Sequence, residues 1–269
     1  MAQLFLVGTP IGNLKDISIR ALETLKSVDV IACEDTRHSL KLLNHYEIKK
    51  PLFACHKFNE RESAEKIYAL ICEGKDVALI TDAGMPAISD PGAIVVNALI
   101  EKGVKITTVP GATALTSAMA LSGICQPIFT FIGFLPPKNK DREALLKPFE
   151  NVRTSLVIYS SPYDVKKDIE YLYRLLGERK LHVIRELTKI HEEHIVTMLS
   201  QGFEGEAKGE YALIIESAEI IEQKPLASVE EQLKELIEKG EDKKSAIKKV
   251  AKANSLPKDE VYKIALKMD

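Results

Sequence analysis

The sequence contains no apolar stretch able to span a bilayer: the most apolar segments, such as Ile94 to Ile100, fall far short of the ~20 residues a membrane helix needs. The N-terminus passes directly into the strand-like run Leu4-Phe5-Leu6-Val7, with no charged-then-apolar leader pattern, and the expectation is a cytoplasmic protein without membrane partners. Cysteine is sparse. Cys33, Cys55, Cys72 and Cys125 are scattered, with no pair at metal-ligand or redox spacing, so reduced thiols are expected and neither zinc nor disulfides are required. Charge of one sign is also lacking, because the formal net charge is only −2. That balance hides an asymmetry: from Lys243 to Lys267 eight lysines face only Asp259 and Glu260, giving this segment +6 and leaving −8 for the remainder. Such a distribution suits a polyanionic partner at one end, although a solvated lysine-rich helix face has the same composition.

What is present is a repeated pattern. With 269 residues and 45% hydrophobic content, the chain has enough apolar material for more than one core. Short β-rich runs, Gly/Pro/Asp-rich turns and helical segments of about ten residues alternate, which predicts helices covering parallel sheets. Strands are expected at Leu4 to Val7, Val30 to Cys33, Val77 to Ile80 and Lys105 to Val109, with helices at Ser18 to Ser27, Ser63 to Glu73 and Ala93 to Lys102. A second strand set is expected at Phe129 to Gly133, Ser155 to Tyr159, Leu181 to Arg185, Ile195 to Leu199 and Tyr211 to Glu216, around a helix from Pro162 to Leu176. Little room for a helix remains between the later strands, so antiparallel pairing is expected there. Beyond Glu222 the pattern becomes helical: Ser228 to Lys239, Lys243 to Asn254, and a third helix starting at Pro257 and ending near Met268, the last two resembling a small helix-turn-helix. The expected organisation is an α/β domain over 1–112, a second α/β domain over 113–222 with a ligand cleft between the two, and a basic helical domain over 223–269.

Three turns carry chemistry. Gly8-Thr9-Pro10-Ile11-Gly12-Asn13 lacks the lysine of a phosphate-binding loop and the glycine spacing of a dinucleotide site; it offers a tight backbone approach at the carboxyl end of a strand, where open α/β sheets bind ligands. The segment from Thr81 to Gly92, TDAGMPAISDPG, is far longer than a plain strand-to-helix link and packs two glycines, two prolines and two aspartates, with Asp82 able to accept hydrogen bonds from a polar ligand. Val109-Pro110-Gly111-Ala112-Thr113-Ala114 repeats the arrangement with small residues.

Read in order, VGTPIGNLKDIS, EDTR, TDAGMPAISDPG, VPGATA, FLPPK and RELTKIHEE resemble the ribosomal RNA small subunit methyltransferase I family of the tetrapyrrole methylase superfamily, over Leu4 to about Glu216. The resemblance implies a tetrapyrrole-methylase-like fold with a mostly parallel first sheet and a mixed second one. It also implies a homodimer that binds S-adenosylmethionine and 2′-O-methylates a cytidine in the decoding region of small-subunit (16S) ribosomal RNA. Carried over by position, cofactor contacts are expected from Gly8, Pro10, Asp82, Gly84, Met85, Thr113 and Ala114, with Tyr159 and Leu187 as further members. The helical tail likewise resembles the domain appended to this family.

Methyl transfer to a ribose hydroxyl is an in-line displacement needing alignment and a group that takes or stabilises the proton's charge. Two polar clusters offer candidates. Asp35 and Arg37 follow a strand end and are expected to position the RNA, where Asp35 can alternatively cap a helix, and Glu186 and Lys189, in the run Arg185 to His194, are expected to accept the proton or stabilise its charge. His191 and His194 lack the spacing of a helical zinc site, and no metal is expected. RNA phosphate contacts are expected from the exposed basic loop with Lys138, Lys140 and Arg142, and from Lys243, Lys244, Lys248 and Lys249 in the tail. Phe58, beside His56, Lys57 and Arg61, can stack on an unpaired base or fill a core. Ser161, Tyr163 and Asp164 depart from the acidic residue and basic pair usual in relatives, which weakens any expectation of phosphate binding at that helix start. A tetrapyrrole or other small-molecule methylase, and a non-catalytic RNA-binding assembly factor, are the competing functions; the EDTR string and the basic tail argue against the first, and the intact loops against the second.

Overall fold

A computed structural model describes residues 2–125, 128–205, 208–218, 228–254 and 256–266. Its first sheet contains β1 (Leu4–Val7), β2 (Val30–Cys33), β3 (Leu52–Ala54), β4 (Val77–Ile80) and β5 (Ile106–Val109), in the order β3-β2-β4-β1-β5 and parallel throughout. Helices α1 (Ile19–Ser27), α2 (Thr36–His45), α3 (Glu60–Cys72) and α4 (Ala93–Glu101) connect successive strands. Parallel strands must be apolar on both faces because helices cover both. Accordingly, Ala78 and Ile80 of β4 join Leu25, Ile31 and Leu43 on one side, while Val77 and Leu79 join Ile67, Val95 and Leu99 on the other. Each such fully buried Val, Leu or Ile side chain contributes about 1.5–3 kcal/mol. Gly74 and Gly103, just past the ends of α3 and α4, have φ of +84° and +71°, the left-handed conformation that stops a helix at little cost for a residue without a β-carbon.

Helix α5 (Ala114–Ser122) leads to a second sheet of β6 (Phe129–Phe134), β7 (Ser155–Ser160), β8 (Lys180–Arg185), β9 (Glu193–Met198) and β10 (Tyr211–Ile215), ordered β6-β7-β10-β8-β9. It is mixed, as expected: β6 and β7 are parallel, whereas β10 runs antiparallel to both β7 and β8, and β8 to β9. One face packs on α6 (Asn139–Leu146) and α7 (Val165–Leu176) through Leu146, Ile158, Ile169, Leu172 and Leu213, and the other takes Ala118 of α5 against Val157, Ile184 and Ile214. The two sheets together form one compact unit, Met1–Ala218.

The second unit, Glu219–Asp269, holds α8 (Val229–Glu238), α9 (Lys243–Ala253) and α10 (Lys258–Leu266) around Leu233, Ala246, Val250, Ala251, Val261 and Ala265. Ser228 and Glu231 close a reciprocal capping box at the start of α8. The expected boundary at 222–223 and the expected end near Met268 lie outside the described residues.

Several expectations are corrected. The segment carrying Lys138, Lys140 and Arg142 is no open loop: Lys138 is the N-cap of α6 and the others lie in its first turns. α7 begins at Val165 rather than Pro162, since the Ser161 hydroxyl donates to Asp164 Oδ2 at 2.7 Å in a turn that precedes the helix. β3, α2, α5 and α6 are additional elements.

Candidate active site

The parallel order brings the carboxyl ends of β1 and β4 side by side, and their loops pair. Thr9 N–H donates to Gly84 O at 2.9 Å, Gly84 N–H donates to Thr9 O at 3.2 Å, and the Thr9 hydroxyl donates to Thr81 O at 3.1 Å. The loop after β5 closes in from the other side: a β-carbon at Gly8 would fall 2.7 Å from Gly111 Cα, and one at Gly111 would fall 2.9 Å from Gly8 Cα. The close approach expected of the first turn is thus an approach of loop to loop. Gly84 itself, at φ +81°, needs the freedom of glycine.

These loops and the second sheet bound a cavity of about 430 Å³, within the range of small-molecule sites. Of the expected cofactor residues, Gly84, Met85, Thr113, Ala114, Tyr159 and Leu187 line it, whereas Gly8, Pro10 and Asp82 do not. Thr113 caps α5 by accepting from Thr116 N–H at 3.3 Å, which fixes the wall formed by the third loop. Tyr159 meets Phe131 and Phe134 edge to face at 5.0 and 5.7 Å, and burial pushes its phenol pKa up. Ile11, Ser89, Asp90, Phe134 and Glu210 also line the cavity and were not singled out from sequence. Asp90 had a signal, a second aspartate late in an overlong loop; Glu210 had none, since only strand pairing brings it there.

Carboxylates crowd the first-sheet side. Glu34 accepts the Thr81 hydroxyl at 2.7 Å, and Asp82 Oδ1 accepts Asp35 N–H at 3.4 Å. Burial raises the Asp82 carboxyl above its ordinary pKa. Asp90 is pushed up to about 6, first by burial and then by the charges of Glu34, Asp82 and Glu210, partly offset by the Thr81 hydroxyl. Asp35 takes the capping role: it accepts Arg37 N–H at 2.7 Å at the start of α2, and that bond holds its carboxyl below the usual range. The Arg37 side chain is exposed.

Glu186 and Lys189 form a latch on the second sheet. Lys189 Nζ donates to Glu186 Oε1 at 2.8 Å and to Glu210 Oε2 at 2.9 Å, and Glu186 Oε1 also accepts Glu210 N–H at 3.0 Å. Burial alone would raise the Glu186 carboxyl, but these donors outweigh it and hold the pKa low; burial alone would lower Lys189, but its two carboxylate partners outweigh that and raise it. Glu186 and Thr188 adopt φ of +52° and +66°, a backbone cost borne where the loop meets its neighbours. A β-carbon at Gly12 would lie 2.6 Å from Lys189 Cγ, so the latch also abuts the first loop.

The expected RNA contacts separate. Arg142 is not presented to a partner: its side chain is 11% exposed, Nη2 lies 3.0 Å from Oδ1 of Asp168, and Nε donates to Pro136 O at 2.5 Å. Lys138 and Lys140 are exposed on α6, as are Lys244, Lys248 and Lys249 on α9, where Lys249 pairs with Glu241 at 2.6 Å and Lys243 is half-buried. Phe58 is 93% exposed rather than in a core. His194 Nε2 lies 3.0 Å from Nδ1 of His182, whose Nε2 is 3.0 Å from Glu216, while His191 is exposed. Among the described residues no group of three or more His, Cys, Asp or Glu is placed to hold a metal ion, and no helix is long and apolar enough to cross a membrane.

Comparison with known proteins matches residues 3–201 to the model of the Tetrapyrrole (Corrin/Porphyrin) Methylases. The chain is 39% identical to the ribosomal RNA small subunit methyltransferase I of Bacillus subtilis, over 97% of this chain and 93% of that one. It is 38% identical to its namesake from a Synechocystis species, over 100% and 99%. Among solved structures, the methyltransferase CobJ superposes with a TM-score of 0.63 at 16% identity, over 81% of this chain and 95% of that one. The uroporphyrin-III C-methyltransferase of Thermus thermophilus complexed with S-adenyl homocysteine gives 0.57 at 19%, over 79% and 97%. With the paired loops, the two sheets and relatives of this identity in hand, the chain belongs to the tetrapyrrole methylase family and, within it, to the ribosomal RNA small subunit methyltransferase I family.

Proposed function

We propose that the protein transfers a methyl group from S-adenosylmethionine to the 2′-hydroxyl of a cytidine ribose in the decoding region of 16S ribosomal RNA, acting on small subunits in the cytoplasm. The observation that carries this reading is the loop-built cavity at the carboxyl ends of β1, β4 and β5 in a chain of this family.

The residues present suit the cofactor. Small walls at Ala83, Gly84 and Ala114 leave room beside backbone groups, the Thr113 and Thr116 hydroxyls offer polar partners, Met85 and Leu187 supply apolar contact, and Asp90 places negative charge where a cationic ligand is accommodated. When bound, S-adenosylmethionine supplies an electrophilic methyl group on a sulfonium sulfur. The chain aligns the acceptor oxygen and excludes water, with Tyr159 and Phe134 shielding one side of the cavity. Gly8 supports the site through its close approach to Gly111, and Asp82 by accepting Asp35 N–H. Arg37, exposed at the start of α2 where Asp35 serves as the cap, positions the RNA beside the cavity, and Lys189, paired with Glu186 in the latch, stabilises charge near the acceptor.

Phosphate contact falls to Lys138 and Lys140, and to Lys243, Lys244, Lys248 and Lys249 on the basic unit, which add affinity without sequence choice. Phe58, exposed beside Lys57 and Arg61, stacks on an unpaired base. We also propose a homodimer, supported by the exposed Ile128 and Phe129 at edge strand β6; light scattering of the purified protein gives its mass directly.

The decisive experiment is transfer of radiolabelled methyl to purified small subunits lacking the modification, followed by nuclease mapping and nucleoside analysis. Label on one cytidine ribose is expected. Transfer to a corrin precursor with none to RNA would overturn the reading.

A further inference from the structure

We infer that Glu60, which does not line the cavity, is a positioning residue for the cofactor: from α3 it holds the far end of the loop after β4 in the shape that binds S-adenosylmethionine. The inference rests on the reading of this cavity as the cofactor site and adds to it a side chain 32 residues away from Gly92 along the chain.

Glu60 is the first residue of α3, where an acidic side chain ordinarily stays in water beside the positive end of its own helix. Here it is buried, 8% exposed, and makes no ion pair among the described residues. A carboxylate leaves water only where donors offset its lost hydration. Those donors belong to α4: Glu60 Oε2 accepts Gly92 N–H at 2.9 Å and Ile94 N–H at 3.1 Å. They are N–H groups of the kind a helix start leaves without partners, and Gly92, the N-cap of α4, has no side chain to accept them. Glu60 thus caps a neighbouring helix, its negative charge set at the positive end of α4. Asn59 fixes the direction of approach: its Oδ1 accepts His56 N–H at 2.7 Å and its Nδ2 donates to Ala54 O at 3.0 Å, tying the start of α3 to the end of β3.

What Glu60 anchors is a wall of the cavity. The loop from Thr81 to Gly92 is held near its start by the two bonds between Thr9 and Gly84, and Met85, Ile88, Ser89 and Asp90, all on the cavity wall, lie beyond that point. There the chain doubles back, Ala87 N–H donating to Pro91 O at 3.3 Å, with Ala87 at φ +66° and Gly92 at φ +134°. Backbone in the left-handed region at a residue with a β-carbon persists only where its surroundings hold it. Position 92 has no room for a side chain that could do so, because a β-carbon there would fall 3.1 Å from Leu79 Cδ2 and 3.2 Å from Ala87 N. A carboxylate reaching in from α3 supplies the brace without occupying that space.

The brace sets where the wall stands. Ser89, two residues beyond Ala87, has its hydroxyl 3.9 Å from where a β-carbon of Gly133 on β6 would sit, so the turn between Ala87 and Gly92 reaches the second sheet and closes the cavity on that side. Without the two bonds from Glu60 the turn samples other arrangements, and the cofactor binds only the fraction that keeps the competent one. Apparent affinity then falls in proportion to that fraction, while the bound complex, once formed, is unchanged. The loss therefore belongs to cofactor binding and not to the methyl-transfer step.

The test compares wild-type protein with Glu60→Gln and Glu60→Ala in four measurements: urea unfolding, calorimetric affinity for S-adenosylmethionine under conditions where all three are folded, hydrogen exchange at the Gly92 and Ile94 amides, and methyl transfer to unmodified small subunits. Glu60→Ala is expected to bind the cofactor about 10- to 100-fold more weakly, the range set by losing hydrogen bonds to a charged acceptor. Its KM for the cofactor should rise by the same factor with kcat at saturating cofactor retained, and exchange at the two amides should quicken. Glu60→Gln keeps the shape and an accepting oxygen, and should recover most of the affinity. If Glu60→Ala does not fold, Glu60→Asp, too short to reach both amides, takes its place. Wild-type cofactor affinity in the shortened variant, with stability alone reduced, would make Glu60 a cap for the fold only and overturn the inference, as would Glu60→Gln binding no better than Glu60→Ala. Wild-type protein that binds no S-adenosylmethionine would instead overturn the cofactor reading, a result distinguishable from weakened binding confined to the variants.

Discussion

Gly8 and Gly111 meet backbone to backbone, so closely that a β-carbon on either would fall within 2.7–2.9 Å of the other's main-chain atoms. The first and third loops can therefore share one wall of the cavity only while both positions lack a side chain. Gly8→Ala should destabilise the protein by about 1–3 kcal/mol, the usual range for overpacking, and weaken cofactor binding as the loops separate. Urea unfolding and calorimetry on the same sample check both effects; a stability unchanged from wild type would show that the loops yield freely.

Asp90 should cost the fold stability at neutral pH. Its folded-state pKa lies above the unfolded value, so the folded protein binds the proton more tightly; the contribution is favourable at acid pH and is lost as pH rises through about 6. The full shift of about two units would correspond to about 3 kcal/mol, but the side chain is only half-buried, and screening reduces this to about 1–2 kcal/mol. Asp90→Asn is expected to be more stable than wild type at pH 7–8 by that amount, with the advantage disappearing towards pH 4. Thermal unfolding as a function of pH measures it.

Arg142 should prove to be a stability residue. Its guanidinium pairs with Asp168, whose side chain is 4% exposed and also accepts the Ser160 hydroxyl at 2.6 Å. Arg142→Ala leaves that carboxylate buried beside an unfilled space, at a cost of about 3–5 kcal/mol. Denaturation should reveal the loss, and the restabilising partner change Asp168→Asn should recover part of it; a fully stable Arg142→Ala with weakened RNA binding would return the residue to the RNA surface.

Phe58→Ala removes an exposed ring that contributes almost nothing to the core, so unfolding should be unaffected. Loss of one stacked base is worth about 1–3 kcal/mol, which raises KM for the ribosomal substrate by about 5- to 150-fold with kcat retained. A KM equal to wild type would remove Phe58 from the RNA surface.

The lysines of α9 should act through salt-dependent, sequence-independent attraction. Replacing Lys244 and Lys248 with Gln should weaken RNA binding across sequences and flatten its salt dependence, the logarithmic slope falling by about 0.7–0.9 for each phosphate no longer neutralised, while cofactor affinity stays intact. Removing residues 226–269 should have the same character on a larger scale; equal loss of cofactor binding would assign that unit a structural role.

Much of the fold was legible because local chemistry dictates it. Leu4–Val7, Val30–Cys33 and Val77–Ile80 have the bounds expected of them, since a short, nearly unbroken apolar run between turn residues can be stable only as a strand covered on both faces. α2 was missed because its polar start reads equally well as a site, and Asp35 serves the helix; β3 is only three residues long. The loops were identifiable as a binding region from their glycine, proline and aspartate content. Which of their residues face the cavity was not, because that depends on strand order: placing β4 between β2 and β1 brings Gly84 to Thr9 and turns Gly8 toward Gly111 instead of the cavity. The same order, with the second sheet folded alongside, sets Glu34, Asp82 and Glu210 around Asp90. The sequence by itself thus determined the elements and the chemical inventory of the loops, through propensity and patterning that act over a few residues. The basicity of Asp90, the neutralised Arg142 and the exposed Phe58 were decided by tertiary structure, because burial and charge proximity belong to residues that are distant along the chain.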